Sequence, residues 1–412
     1  MPAHLIRTSM LRIRSQQKLA PLETLLHRFQ GSELAVNVPI HCAPRAPVVF
    51  DWRDKMKMAP KNMNLLVCTL FSMALLSLFP VHAGEKGLAY ISSQDGGVDV
   101  LDLERMEITQ TIDVGAKGPR GIGLTTDGKF LVVANKDGGN LSIIERSSGK
   151  LIKQVKIGKN PEFVRVMGDK AFVTYEPSSK GGPPPKPGEA VTKVEDDDDD
   201  NIPARIAIVD LKRGKVLREV VSGPETEGIE FSADGKQMIV TNEADHTITV
   251  HSLKTGKLLK TMPTSKFGDR PRGIKISPDG KTYVATLEFG NKVLVMNERF
   301  EAVTTFATGK TPYGISFDRS GQRIFVAASR EKMLQVFDAK SFEKIKDIPT
   351  GDRCWHFTFT PDNQQILLAC GKSDEIVVID ANKLEVTQRI ANKGMPWGIV
   401  TYPKAFGSLD QP

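Results

Sequence analysis

The stretch GKTPYGISFDRSGQRIFVAAS, residues 309–329, decides the fold because shorter versions of it recur along most of the chain. Each copy begins with a glycine, and the intervals between successive glycines are 43, 65, 45, 41, 42 and 43 residues. These glycines are Gly115, Gly158, Gly223, Gly268, Gly309, Gly351 and Gly394. A period in the low forties, filled with short alternating strands, is typical of β-propeller blades.

The copy that begins at Gly268 shows the strands of one blade. We predict strands at 273–277, 282–286, 292–296 and 302–307, which are rich in Val, Ile, Phe and Thr and suit a pleated, half-buried surface. Asp279-Gly280 indicates a hairpin between the first two strands, because glycine supplies the positive φ that a tight turn needs. Each repeat therefore predicts a four-stranded antiparallel blade.

The ends of the array predict how the ring closes. The last copy contains one strand, WGIVTY, and the array begins with three strands, at 88–92, 98–103 and 108–114, that have no first strand of their own. One C-terminal strand and three N-terminal strands make one blade, and pairing them removes the exposed edges of an open array. We therefore predict an all-β, seven-bladed propeller within residues 84–412.

An apolar run, Leu65–Phe79, lies upstream of the propeller. Two lysines precede it and Val81-His82-Ala83 follows, which is the order of a signal peptide. A membrane anchor is the alternative, but a span needs about 20 apolar residues. We expect a signal peptide at 63–83, an upstream segment 1–62 that is not part of the mature protein, and a periplasmic mature chain with no stable membrane anchor.

The charge of the propeller gives no support for nucleic-acid binding. The whole chain carries a formal net charge of +7. The first 83 residues hold 10 Lys+Arg and 4 Asp+Glu, so 46 basic and 45 acidic residues remain in the propeller. A nearly neutral domain gives no electrostatic reason to expect a nucleic-acid partner.

Two cysteines fall in the propeller. Cys354 begins the first strand of the sixth blade and Cys370 ends the second, so the two face each other across the strand pair. An oxidising compartment would allow a disulfide between them. The alternative is two small buried hydrophobic residues that never bond.

No familiar catalytic motif is present: the sequence lacks CxxCH, GxSxG, HExxH and a phosphate loop. The propeller contains three histidines, His246, His251 and His356, and none lies in a His/carboxylate cluster at ligand spacing. We therefore predict no catalytic residue and no metal site.

The repeat nevertheless predicts a site, because the first strand of each blade lines the central channel and equivalent residues meet at one mouth. Aligning PRGI, PEFV, TEGI, PRGI, PYGI, CWHF and PWGI gives one such position per blade. The seven residues at this position, here called the ring residues, are Arg120, Glu162, Glu227, Arg272, Tyr313, Trp355 and Trp397. Together with His356 they are the candidate ligand-binding residues.

The ring residues are half charged and half aromatic, as a small-molecule pocket or a docking rim would be. We expect the aromatic residues to form a wall faced by Arg120 and Arg272 as anchors for a flat, acidic ligand. The alternative is a structural plug, with Arg and Glu paired across the channel. The second strands return to the same mouth and add Ser93, Asn135, Tyr175, Glu176, Asn242, Glu243, Glu288, Arg330 and Lys372.

Blade 2 carries a long insertion, 177–203, between its second and third strands. It is rich in Pro and Gly and then acidic from Glu195 to Asp200, so it cannot build a packed core and is expected to be a mobile loop over the mouth. It would act as an acidic lid or docking arm, or be a solvated insertion with no partner.

The phrases DGKTYVAT, DGKFLVVAN and SGQRIFVAAS resemble the YVTN-type propeller repeat. CWHFTFTPD followed by GMPWGIVTYP resembles the exported subgroup associated with PQQ-dependent alcohol catabolism. The resemblance covers residues 87–403 apart from the insertion. It implies a periplasmic propeller that works near quinoproteins and c-type cytochromes.

The same repeat is similar to propellers that hold haem d1 and to seven-bladed lactonases. The first resemblance would make His356 an axial ligand, and the second would use Glu162, Glu227 and Arg272 as the clustered charges. The sequence as a whole favours a binding module for a small ligand or a periplasmic redox protein, either a quinoprotein or a c-type cytochrome. A lactonase-like hydrolase and a haem d1-type carrier are the alternatives, with PQQ and haem d1 as the candidate cofactors.

Overall fold

A computed structural model describes residues 87–176 and 203–412, where 28 strands form seven four-stranded antiparallel sheets. The seven-bladed propeller predicted from the repeat is confirmed. The predicted upstream segment, the predicted signal peptide and the insertion up to residue 202 lie outside the described residues.

The strands are numbered in chain order, and blades 1–6 follow the six complete repeats. The first three strands belong to blade 7 and are β1 (Leu88–Ser93), β2 (Val98–Asp102) and β3 (Glu107–Ile112). Blade 1 contains β4 (Pro119–Leu124), β5 (Phe130–Asn135), β6 (Asn140–Glu145) and β7 (Lys150–Lys156). Blade 2 contains β8 (Val164–Met167), β9 (Lys170–Tyr175), β10 (Arg205–Asp210) and β11 (Lys215–Val221). Blade 3 contains β12 (Thr226–Phe231), β13 (Gln237–Asn242), β14 (Thr247–Ser252) and β15 (Leu258–Pro263).

The remaining blades repeat the same order. Blade 4 contains β16 (Pro271–Ile276), β17 (Thr282–Leu287), β18 (Lys292–Asn297) and β19 (Ala302–Ala307). Blade 5 contains β20 (Pro312–Phe317), β21 (Arg323–Ala328), β22 (Met333–Asp338) and β23 (Lys344–Pro349). Blade 6 contains β24 (Cys354–Phe359), β25 (Gln365–Cys370), β26 (Glu375–Asp380) and β27 (Glu385–Ala391), with a short 3-10 turn at Gly371–Ser373. The last strand is β28 (Pro396–Tyr402).

The ring closes as predicted. The strand order of blade 7 is β28-β1-β2-β3, so the C-terminal strand is its inner strand. It pairs antiparallel with β1, with Tyr402 opposite Leu88 and Ile399 opposite Ile91. The inner strands of neighbouring blades contact each other around the ring, from β28 to β4 and onward back to β28.

Burial falls from the channel outward. The inner strands β12, β20 and β24 are buried at every residue, whereas the outer strand β7 buries only Val155. The apolar residues of the inner strands pack between blades, because each sheet covers its neighbour's face. The central apolar cluster includes Tyr313, Trp355 and Trp397, which places these ring residues inside the core.

Most inner strands have a β-bulge at or next to the ring residue. In blade 4, Pro271 lies opposite Leu287 but Ile274 lies opposite Ala285, so the inner strand has one more residue there than its partner strand. The same shift occurs in the inner strands of blades 1, 3, 5 and 6. In blade 7 it falls at Trp397. A bulge frees a residue from the ladder and bends the strand, which redirects its side chain.

The residue two positions before each ring residue has a positive φ in all seven blades. The seven residues and their φ values are Gly118 (70°), Asn160 (49°), Glu225 (48°), Arg270 (57°), Thr311 (57°), Arg353 (53°) and Met395 (58°). Six of them are not glycine, and non-glycine residues adopt this region at a cost. The repeated conformation shows that the entry into each inner strand is a fixed feature of the blade.

Cys354 and Cys370 lie opposite each other on β24 and β25 and form a disulfide with an S–S distance of 2.03 Å. Of the two alternatives left open by the sequence, the structure has the disulfide. It joins the first two strands of blade 6 directly beside Trp355.

The residues after β28 enter the channel below the ring residues, which the sequence did not indicate. The Phe359 N–H donates to the Phe406 carbonyl oxygen over 2.8 Å, and the Ser408 N–H donates to the Phe357 carbonyl oxygen over 2.9 Å. Leu409 is buried in the central apolar cluster. One end of the channel is therefore filled by the chain's own tail.

Candidate functional site

The four charged ring residues meet at the mouth. Arg120 forms an ion pair with Glu162, and Arg272 Nη2 lies 2.9 Å from Glu227 Oε1 and 3.9 Å from Glu162 Oε1. These contacts join blades 1 to 4 in one continuous charged network. Arg120 and Arg272 face the aromatic ring residues as expected, at 6.0 Å from the Trp397 centroid and 3.9 Å from the Tyr313 centroid. Both are also paired with carboxylates, which the anion-anchor expectation did not include.

Two carboxylates from the second strands complete the network, as their positions at the same mouth suggested. Arg272 Nη1 lies 2.5 Å from Glu243 Oε1 and 3.2 Å from Glu288 Oε2. Arg270 pairs with Glu243 as well, and its Nη1 lies 2.8 Å from Glu225 Oε2. We did not single out Arg270 from the sequence, although it directly precedes the inner strand of blade 4.

Burial and the neighbouring arginines together give these carboxyl groups different pKa values. Burial raises the pKa of Glu243 to about 8, although Arg272 and Arg270 act in the opposite direction. Burial also raises the pKa of Glu227 well above its usual range, and Arg272 only partly offsets it. For Glu162, burial alone would raise the pKa, but Arg120 and Arg272 outweigh it and lower the pKa. The network therefore holds protonated and ionised carboxyl groups side by side near neutral pH.

This arrangement predicts that stability falls as the pH rises from 6.5 to 8. A carboxyl group with a raised pKa in the folded state stabilises the protein while it is protonated, and that contribution is lost as pH passes the folded pKa. For Glu243 the window runs from 4.5 to about 8. Arg272, Arg270, Glu288 and Glu225 surround it. The loss is at most about 1.4 kcal/mol per pH unit for each such group.

Chemical denaturation of the wild type and of Glu243→Gln at several pH values tests this. Below pH 6.5 the buried His356 and His251, whose pKa values are lowered, would act in the opposite sense, so the comparison starts there. Glu243→Gln should show a smaller loss of unfolding free energy between pH 6.5 and 8. An identical pH dependence in both proteins would contradict the assignment.

The aromatic ring residues form a packed unit. The Arg272 guanidinium lies 3.9 Å from the centroid of the Tyr313 ring and also donates a hydrogen bond to the Tyr313 hydroxyl. The Trp397 and His356 rings lie 4.4 Å apart, and the Tyr313 and His356 rings 5.3 Å. Trp397 is 1% exposed, Tyr313 5% and Trp355 7%. These contacts are those expected of the structural plug.

His356 lies at the centre of this unit. Its Nδ1 is 3.1 Å from Ser408 Oγ of the tail, and its Nε2 has no hydrogen-bond partner among the described residues. Burial, followed by repulsion from Arg272, holds the pKa of His356 well below its usual range, so the imidazole is neutral.

A neutral imidazole with a free Nε2 has the chemistry of a haem axial ligand. The surroundings do not fit haem d1. Trp397 and Tyr313 pack against the ring of His356, and Ser408 contacts it from the tail, so a macrocycle could reach Nε2 only by displacing them. The arginines that would meet its acidic groups are already paired with glutamates.

The mouth also carries cations that are not paired. A groove of about 780 Å³ opens between the loops of blades 1 and 2. Its lining residues are Lys136, Asp137, Gly138, Gly139, Asn140, Gln154, Lys156, Gly158, Lys159 and Asn160. Three lysines against one aspartate give the groove a positive lining, which favours an acidic ligand.

The part of the chain that the structure describes contains neither a metal-binding cluster nor a membrane-spanning helix. Within it, no group of three or more His, Cys, Asp or Glu side chains is arranged to hold a metal ion. None of its helical segments is long and apolar enough to cross a membrane.

Comparison with known proteins agrees with the fold. A curated relative, the uncharacterized protein YncE of Escherichia coli O157:H7, is 26% identical over 213 residues, which cover 49% of this chain and 52% of the relative. The chain thus spans about half the length of this relative.

Solved structures are similar over most of the chain. The periplasmic gluconolactonase of Pseudomonas aeruginosa is 16% identical with a TM-score of 0.60, covering 79% of this chain and 99% of that one. The dihydro-heme d1 dehydrogenase NirN is 15% identical with a TM-score of 0.56, covering 78% and 77%. At these identities the likeness shows the fold alone.

One family model, described as the cytochrome D1 heme domain, matches residues 71–164 and 202–336, together more than half of the chain. The chain therefore belongs to the cytochrome D1 heme domain family of β-propellers.

Proposed function

We propose that this protein is an exported, periplasmic binding propeller that holds an acidic small ligand on the mouth of its channel. One observation carries the proposal: the ring residues are sealed by their own contacts, whereas cations at the mouth have no carboxylate partner in the described structure. These cations are Lys136, Lys159, Arg330 and Arg353. A sealed ring under a cationic rim favours binding on the mouth over chemistry within the channel.

The proposed ligand class follows from the resemblance of the CWHFTFTPD and GMPWGIVTYP segments to the subgroup associated with PQQ-dependent alcohol catabolism. PQQ is a flat, acidic molecule and suits a cationic rim. A redox protein with an acidic face is the second candidate, because the same open rim suits electrostatic docking. Export rests on the apolar run and the small-residue site at Val81-His82-Ala83.

Titration of PQQ into protein recovered from the periplasmic fraction tests the proposal, with its N-terminal sequence checking the cleavage site. We expect saturable binding that weakens as salt is added, because screening acts on exposed charges. The double variant Lys136→Gln/Lys159→Gln should bind several-fold more weakly, since each exposed contact contributes up to about 1 kcal/mol. Lys346→Gln, on the outer strand β23, is the matched control and should bind like the wild type.

Two outcomes would contradict this reading. Absence of PQQ binding, together with salt-sensitive binding of a purified c-type cytochrome, would favour the protein partner. A haem absorption band in the same periplasmic sample would favour a cofactor carrier instead.

A lactonase-like activity is the second candidate function. The raised pKa values of Glu227 and Glu243 leave two protonated carboxyl groups beside Arg272, which is a combination that acid–base catalysis can use. The gluconolactonase of Pseudomonas aeruginosa has the same fold. Hydrolysis of gluconolactone above the uncatalysed rate, lost in Glu227→Gln, would favour the enzyme over the binding module.

A further inference from the structure

Arg353 differs from Arg120, Arg270 and Arg272 because it has no anionic partner among the described residues. Arg120, Arg270 and Arg272 each pair with at least one glutamate. Within residues 87–176 and 203–412, the guanidinium of Arg353 forms no ion pair, and its enclosed Nε has no hydrogen-bond acceptor. A half-buried guanidinium without an ion pair loses hydration that no opposite charge compensates.

The backbone holds Arg353 in one place. It adopts a φ of 53° immediately before β24, and its carbonyl oxygen accepts a hydrogen bond from the Gly371 N–H over 3.1 Å. The next residue, Cys354, is bonded to Cys370. The position is therefore fixed before any ligand arrives, which reduces the entropic cost of binding.

The side chain is placed over an aromatic surface. The Arg353 guanidinium lies 5.7 Å from the centroid of the Trp355 ring. Trp355 is itself a ring residue, and its ring fits against Gly371, where a Cβ atom would clash with it. A flat surface and a planar cation thus lie together at the mouth of blade 6.

Arg330 is a second cation close enough to repel Arg353. Burial lowers the pKa of Arg353, and repulsion from Arg330 and Arg272 adds to this, while Tyr313 and Glu288 act in the opposite direction. Arg272 is neutralised by its glutamates, but Arg330 is not paired with any carboxylate of the described residues. Arg330 and Arg353 therefore make a region of uncompensated positive charge between blades 5 and 6.

We propose that Arg353 and Arg330, beside Trp355, form a subsite for the carboxylate of a planar ligand. A guanidinium fork donates two parallel hydrogen bonds to a carboxylate, and the edge of Trp355, which stays 7% exposed, borders the ring that bears it. The inference rests on the proposed function and deepens it, because it assigns the acidic end of the ligand to blades 5 and 6. The anion anchors are then Arg353 and Arg330, which have no carboxylate partner among the described residues, in place of Arg120 and Arg272.

The experiment uses benzene-1,3,5-tricarboxylate and PQQ as probes, with binding followed by calorimetry and thermal unfolding. Arg353→Gln should bind both probes at least about tenfold more weakly than the wild type, which is the loss of one charge-assisted contact. Arg330→Gln should show a smaller loss in the same direction. Lys346→Gln is the control and should leave binding unchanged.

A second readout separates a ligand subsite from a structural role. Without probe, Arg353→Gln should melt at the same temperature as the wild type or higher, because it removes an unpaired, half-buried charge. Arg270→Gln should melt lower, because it strands the glutamates that it pairs with. A marked drop in the melting temperature of Arg353→Gln would overturn the subsite.

The outcomes also separate the two proposals. Wild-type protein that binds neither probe would overturn both the subsite and the small-ligand function. Wild type and Arg353→Gln that bind PQQ equally would overturn the subsite alone. Inorganic phosphate that binds as tightly as the tricarboxylate would show a general anion site and contradict the planar ligand.

Discussion

A chain that ends at Met395 should fail to form a soluble, folded propeller. The deletion removes β28, the inner strand of blade 7, and with it the strand pairing that closes the ring. Trp397, Ile399 and Val400 are fully buried between blades. Each such side chain contributes about 1.5–3 kcal/mol, so their loss is comparable with the whole stability of a typical domain.

The lost strand also leaves the inner edge of β1 unpaired, and an exposed sheet edge promotes association between chains. Solubility after expression, and thermal unfolding of any soluble fraction, measure the effect. A chain that ends at Tyr402 is the matched control, because it keeps β28 and lacks only the tail. We expect this control to be soluble and to melt at a lower temperature than the full chain, since Leu409 and Asp410 are lost. A chain ending at Met395 that is as soluble and heat-stable as the full protein would contradict ring closure.

The fold could be predicted because the strand pattern of one blade recurs along the sequence. The Gly268 copy predicted strands at 273–277 and 282–286, and the structure has β16 at Pro271–Ile276 and β17 at Thr282–Leu287. The hairpin at Asp279-Gly280 fixes the register of both strands, so the errors are confined to their ends. Closure followed from counting strands, which needs no side-chain geometry.

The site could be predicted only in part. Aligning the repeats shows which residues occupy equivalent positions in the blades, but not which residues they contact. It placed Arg272 at the mouth, but its partners Glu243 and Glu288 come from second strands, and their distances depend on the bulges of the inner strands. Arg353 was missed although it precedes Cys354 at a fixed repeat position. The seven residues at that position share a backbone conformation and no side-chain chemistry. The tail was missed because residues 403–412 have no periodic pattern.

Replacing Arg272 by methionine should lower the unfolding free energy by about 3–5 kcal/mol, the usual cost of removing one partner of a buried ion pair. Arg272 contacts Glu227, Glu243 and Glu288, all of which are buried. Methionine fills much of the same volume, so the loss is electrostatic and not a cavity effect. Chemical denaturation of the wild type and the variant at neutral pH measures it.

The pH dependence of this loss identifies its cause. Arg272 lowers the pKa of Glu162 and opposes the raised pKa values of Glu227 and Glu243. Without Arg272 the folded protein binds protons more readily, so the difference from the wild type should shrink at pH 5. Arg120→Met is the matched control, since Arg120 is more exposed and pairs with Glu162 alone, and its loss should be smaller. If Arg272→Met retained full stability and instead lost PQQ binding, Arg272 would be the anion anchor first expected from the sequence. A loss of stability with unchanged PQQ binding would establish the charged ring residues as the plug on which the mouth is built.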